Sequence, residues 1–287
     1  ILFLQMTSLS FYHSIQDEFS YLYCMAKPDI RRVEVVRYVE PLREGGSLPA
    51  IVEADDDFLY VLKFRGAGQG KKALIAELIG GALAKAIGLR VPELVFMDLD
   101  DTFSKTEPDE EIQDLLKFSV GLNLGLHYLS GAITFDPAVS VATSMEASKV
   151  VLLDSLINNI DRTHRNPNLL NWKKELWLID HGASLYFHHA WKNWKEQAAS
   201  TFPAIRNHVL LGRATELEKA GEHIKTSLNE EILRGIVAVI PEDFLEEEGD
   251  PLPPYEKREA YTYFLSTKLA QIDAHIKEAE HARQAHI

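Results

Sequence analysis

Residues 159–182 restrict what this chain can be more than any other stretch. They read NIDRTHRNPNLLNWKKELWLIDHG. Asp161 and Asn166 stand five apart, and Asp180 follows fourteen residues after the asparagine. Asp180 ends an apolar run of Leu176, Trp177, Leu178 and Ile179, and Gly182 comes two residues later. The pattern predicts a loop followed by a short hairpin, with the second aspartate at a strand end. That layout suits phosphoryl transfer. One carboxylate must reach the attacking hydroxyl, while a neutral oxygen and a second carboxylate hold Mg²⁺ against the phosphates. Asp161 fits the first task, and Asn166 and Asp180 fit the others. Asp and Asn also favour ordinary turns, because their side chains bond nearby backbone. The rest of the chain has to decide between these readings.

Upstream, residues 33–39 are β-branched and alternate with charge, and residues 58–64 read FLYVLKF; both predict strands. Between them lies PLREGGSLP, where Gly45, Gly46 and Ser47 are candidates to cover nucleotide phosphates, since a backbone without Cβ can approach closely. Lys63 sits inside an apolar strand and must send its ammonium somewhere polar, because burying it unpaired is costly. Residues 71–87 follow with helical periodicity, and Glu77 lies among its apolar positions. Kinases pair a strand lysine, which holds phosphates, with a glutamate on the next helix. The other reading has Glu77 facing solvent and Lys63 snorkelling. The intervening GAGQGKK is not a P-loop, because position 65 is Arg and position 72 is Lys where that motif needs Gly and Ser or Thr. It reads as a flexible basic connector.

Asp, Asn and Asp at these spacings match the kinase order of catalytic loop followed by metal-binding aspartate. The arginine after Asp161, with a histidine two further on, resembles the D-R-H-x-x-N loop of phosphoinositide-type and HipA-type kinases, although an inserted Thr163 makes it D-R-T-H here. From residue 25 onward, most strongly over 41–92 and 152–189, the chain resembles the stand-alone bacterial HipA-like kinases. The resemblance implies an α+β, two-lobed protein-kinase-like fold. A β-rich small lobe would cover 25–128 and a mainly helical lobe 129–287. It implies ATP and Mg²⁺ as cofactors, with Asp161, Lys63 and Glu77 catalytic and Asn166 and Asp180 on the metal. Chain order places the adenine-binding hinge at 127–131, hence His127, Tyr128 and Leu129. A serine or threonine of a protein substrate is the implied acceptor. A small molecule or lipid headgroup, and a degenerate kinase that binds nucleotide without turnover, are the alternatives. An antitoxin-like protein partner also follows from the resemblance.

The net charge of −13 argues against broad nucleic-acid binding and against a polybasic membrane anchor. The single cysteine, Cys24, excludes an intramolecular disulfide framework and fits a cytoplasmic location. No run reaches the roughly 18 to 20 apolar residues of a spanning helix. Residues 1–24 precede Met25 and read as a non-native leader or, alternatively, as an extra helix on the small lobe. His164, His181, His188 and His189 cluster near the motif without the spacing of a zinc site. Further expectations are an exposed acidic excursion over 98–114 and a helix over 139–157 carrying Asp154, which either supports the loop or faces solvent. Helices are also expected near Trp191 and Trp194, over 210–220 and over 229–240. An acidic, proline-rich break would span 241–254, with one final helix over 255–285.

Overall fold

The computed structural model describes residues 27–42, 48–140 and 142–285. The proposed leader at 1–24 and the phosphate-covering candidates Gly45, Gly46 and Ser47 lie outside the described residues.

Five strands close a small barrel: β1 (Arg32–Pro41), β2 (Ala50–Ala54), β3 (Leu59–Lys63), β4 (Leu94–Leu99) and β5 (Gly121–His127), in the order β1-β2-β3-β5-β4. The only parallel pairing in it joins β4 back to β1, with Val33 opposite Met97. β2 was not legible beforehand, and it completes a hairpin with β1 whose base is closed by the Leu42 amide donating to the Pro49 carbonyl at 2.7 Å. Period-two alternation puts Tyr60 and Leu62 in the barrel core with Val52, Val95 and Met97, and turns Leu59, Val61 and Lys63 to the other face.

Helix α1 (Gly70–Ala86) leaves the barrel after β3. The expected amphipathic stripe is buried from Lys72 to Ala84, because the helix is enclosed between barrel and helical lobe. Its Leu74, Ile75 and Leu78 belong to the larger core, with Leu152, Leu153 and Phe264 from the helical lobe. The acidic excursion folds instead into α2 (Thr102–Thr106) and α3 (Glu110–Phe118). Asp109 caps α3 by accepting from the Glu111 amide, and Ile112 and Leu116 close the barrel core. Their four-residue spacing was the missed signal.

After β5 come β6 (Ile133–Thr134), α4 (Ser144–Ile157), β7 (Leu169–Trp172) and β8 (Glu175–Leu178), with β6, β7 and β8 forming a second sheet. α4 starts at Ser144 rather than at 139, because Thr143 and Glu146 form a reciprocal capping box. Then follow α5 (Trp194–Ala199), α6 (Leu217–Ser227), α7 (Glu230–Ala238), α8 (Glu242–Leu245), α9 (Pro254–Ala270) and α10 (Ile272–Gln284). Trp191 lies ahead of α5 rather than in it. Helix α6 begins at Leu217, later than expected, after a single 3₁₀ turn over Leu211–Arg213. The single final helix is two, broken at Gln271 so that Phe264 and Ile276 both reach the core.

The basic connector packs against the end of α3 and pairs with the helical lobe. A Cβ on Gly66 would lie 2.8 Å from the Phe118 backbone, so the turn is packed against the end of α3. Arg65 and Lys71 both bind Asp243, at 2.9 and 3.0 Å, and Lys72 reaches Glu247 at 2.9 Å and Asp250 at 3.1 Å. The acidic break at 241–254 thus clamps the entry to α1. No described helix is long and apolar enough to cross a membrane.

Candidate active site

Strand β3 delivers Lys63 to the face away from the barrel core, and α1 delivers Glu77 opposite. Lys63 Nζ donates to Glu77 Oε2 at 2.6 Å and to Asp180 Oδ1 at 2.6 Å. These three residues come from β3, α1 and the end of β8, across 117 positions of chain. Burial opposes the charge on Lys63, yet Glu77 and Asp180 outweigh it and hold its pKa above the usual lysine value. Burial likewise opposes ionisation of Glu77, and Lys63 with His181 keeps that carboxyl well below the usual range. The reading in which Glu77 faces water is therefore excluded: its side chain is 1% exposed, against 45% for Asp180.

His181 takes part through its backbone. Its amide donates to Glu77 Oε2 at 2.8 Å, and its ring Nδ1 lies 3.4 Å from Oε1. A Cβ on Gly80 would sit 2.6 Å from the His181 Cβ, so glycine is what lets α1 come close enough for that bond. Asp180 itself has φ +56°, a left-handed conformation that aspartate tolerates better than most residues. It turns the chain out of β8 at the point where the carboxylate meets Lys63.

Asp161 is held by two amides. Asn166 Nδ2 donates to its Oδ2 at 2.7 Å and Asn168 Nδ2 to the same oxygen at 3.3 Å, leaving Oδ1 free. Asn168 was overlooked in the sequence; it repeats asparagine two positions after Asn166, the only hint available. Below the loop, Arg162 donates Nε to Asp154 Oδ2 at 2.6 Å and Nη1 to the carbonyls of Asn168 and Ile179. One guanidinium therefore ties the Asp161 loop to the residue preceding Asp180. Asp154 also accepts from His208 Nε2 at 2.9 Å and from Asn159 Nδ2 at 3.1 Å. Of its two readings, loop support is the one the structure shows. Burial works against the Asp154 charge, but Arg162 and His208 hold its carboxyl well below the usual range. Burial lowers His208, despite Asp154, and His208 accepts the Leu210 amide on Nδ1, so the ring is neutral. His208 is 46 residues past Arg162, and nothing local marked it.

The donor set fits Mg²⁺ bound with a nucleotide. Asn166, which is exposed, keeps its amide oxygen free, and Asp180, nearly half exposed, keeps Oδ2 free. Among the described residues no group of three or more His, Cys, Asp or Glu is arranged to hold a metal alone. A hard cation here would take its remaining oxygens from phosphates and water, as Mg²⁺ commonly does. Of the hinge candidates, His127 and Tyr128 have their amides bonded to the Glu93 and Leu59 carbonyls at 2.9 and 2.8 Å. Leu129 is buried, and its carbonyl accepts from the Ala132 amide at 3.0 Å. His164 is exposed.

A family model described as HipA-like kinase matches residues 34–274. Among solved structures, the Helicobacter pylori proinflammatory kinase CtkA aligns with TM-score 0.49 and 12% identity, covering 90% of this chain and 99% of its own. The Golgi casein kinase aligns with TM-score 0.50 and 13% identity, covering 92% of this chain and 75% of its own, which speaks to the fold alone. A search of curated proteins finds no match. The family match spans most of the chain: it belongs to the HipA-like kinases and has their two-lobed fold.

Proposed function

We propose, on the premise that this chain is a HipA-like kinase, that it uses ATP and Mg²⁺ to phosphorylate a serine or threonine of a protein substrate. The observation that carries the reading is the bridge of Lys63 between Glu77 and Asp180, with Asp161 and Asn166 on the loop that Arg162 ties to Ile179, the residue before Asp180. Lys63, fixed by Glu77, meets the phosphates. Asn166 and Asp180 would hold the cation, whose charge would offset that of the transferring group. Asp161, oriented by Asn166 and Asn168, accepts the hydroxyl proton on its free Oδ1. The acceptor oxygen bonds to the γ-phosphorus as the bond to the bridging oxygen breaks and ADP leaves. Leu129 offers a backbone amide to adenine.

The test is labelled ATP with Mg²⁺ and a cell lysate. Label should appear on protein serine or threonine. It should fall about 10²- to 10⁴-fold in Asp161→Asn, while nucleotide still raises the melting temperature of that variant. Label confined to small molecules would refute the protein acceptor, and no nucleotide-dependent shift in the wild type would refute the kinase reading itself.

A further inference from the structure

A cavity of about 820 Å³ opens beside the catalytic loop and takes no part in the chemistry described so far. Its near wall is Thr163, His164 and Arg165, immediately after Asp161. Its far wall is the segment around Arg206 and Arg213. The two walls are joined in register: Thr163 and His208 form an antiparallel bridge, and the Val209 amide donates to the Arg162 carbonyl at 3.2 Å. The cavity is thus a fixed extension of the loop that holds Asp161.

Its charge is unlike that of the rest of the molecule. In a chain of net charge −13, no Asp or Glu is among the described residues that line it. Arg65 and Arg162 show the usual arrangement, each set against a carboxylate. Arg165 and Arg206 are exposed, and among the described residues neither makes an ion pair or a side-chain hydrogen bond. Arg213 donates only to the carbonyls of Ser140 and Pro137, so its charge is likewise uncompensated. Arginines left unpaired at one spot on an acidic protein concentrate the local field and offer planar forks that match carboxylate and phosphate. Leu211 and Val209 give the same cavity an apolar wall, which suits an extended peptide better than a compact polar metabolite.

We infer that this cavity is the acceptor subsite. It selects a polypeptide whose serine or threonine has an anionic side chain, carboxylate or phosphate, within a few residues, held by Arg165 and Arg206. The inference rests on the protein-kinase reading above and adds the class of sequence that is phosphorylated.

The experiment uses serine peptides in matched sets: glutamate near the acceptor, glutamine in its place, and phosphoserine in its place. The wild type should use the glutamate or phosphoserine peptide about ten-fold better than the glutamine peptide, as charge-assisted hydrogen bonds to two arginines allow. The difference should lie in KM and shrink as salt is raised. The glutamate and phosphoserine arms show which anion is preferred. In Arg165→Gln/Arg206→Gln the preference should vanish while the KM for ATP and the circular dichroism spectrum stay unchanged. Equal use of charged and neutral peptides by the wild type, or a preference that survives in the double variant, would overturn the inference and leave the kinase reading standing. Better phosphorylation of glycerol phosphate than of any peptide would overturn it too. If no peptide or protein is labelled although nucleotide binds, the protein-acceptor reading fails, and this inference with it.

Discussion

Asp154 and Asp180 each accept a cationic nitrogen at 2.6 Å, yet the two contacts are built for opposite ends. Asp154 is fully buried, and three side chains from two segments of the helical lobe converge on it: Arg162, His208 and Asn159. Its partner Arg162 spends Nη1 on backbone carbonyls of the loop and of β8's end, while its buried Nη2 has no hydrogen-bond partner. Asp180 is nearly half exposed, spends one oxygen on Lys63 and leaves the other open. Lys63 in turn keeps Glu77 as a second, buried partner. The first cluster has no exchangeable member, so it fixes geometry. The second can give up one contact to a phosphate or a cation without leaving a buried charge alone. Similar ion-pair distances therefore mark a support in one place and a candidate working site in the other, and water access separates them.

The largest effect should come from breaking the support. Asp154→Ala leaves Arg162 buried without its carboxylate and should cost about 3–5 kcal/mol in urea unfolding, with activity lost alongside stability. A cost below 1 kcal/mol would mean that the two clusters do not differ as described. Next, Asp180→Asn keeps a residue suited to the left-handed conformation and leaves Lys63 paired with Glu77. Stability should change by less than about 1 kcal/mol, while the phosphorylation rate falls on the order of 10³-fold. Comparable losses of stability in both variants would erase the contrast.

A gentler effect should come from acid acting on the buried histidines, of which His208 belongs to the Asp154 support. Burial holds His208, His188 and His275 below the usual histidine value, His275 at about 4. Their folded pKa values are depressed, so the stabilisation is complete above pH 6.5 and is lost as pH falls from there toward 4. Each neutral histidine contributes a slope of about 1.4 kcal/mol per pH unit within that window. Urea melts at pH 7, 6 and 5 would show it, and a flat profile would mean that these rings are charged in the fold.

The sequence made legible whatever has a local period or a chemical oddity. Lys63 stood out because a cation interrupts an apolar strand, and alternation then told which face it takes. The spacing of Asp161, Asn166 and Asp180 followed from the demands of a single reaction. Glu77 was found with them, although α1 shows no clean stripe, because it is enclosed on several sides. Helices α2 and α3 were hidden by acidic composition, which masked the four-residue spacing of Ile112 and Leu116. The start of α4 depended on a capping box that outweighed the apolar residues before it. His208 and the clamp on Arg65, Lys71 and Lys72 were beyond reach for a different reason. Their partners lie 54 residues away in one case and more than 170 in the other, and such contacts leave no mark on nearby sequence.

The strand that carries Lys63 can be viewed as a beam. Its first residues lie beside His127, where the polypeptide crosses from barrel to helical lobe, since Tyr60 is opposite His127 in the β3–β5 register. Just past its far end, Arg65 is fastened to Asp243 on the other lobe. One pin is a backbone hydrogen-bond ladder within the barrel, and the other is ionic, with its carboxylate partly open to solvent. The position of the lysine opposite Asp180 is thus held in part by a joint whose tightness depends on the ions around it.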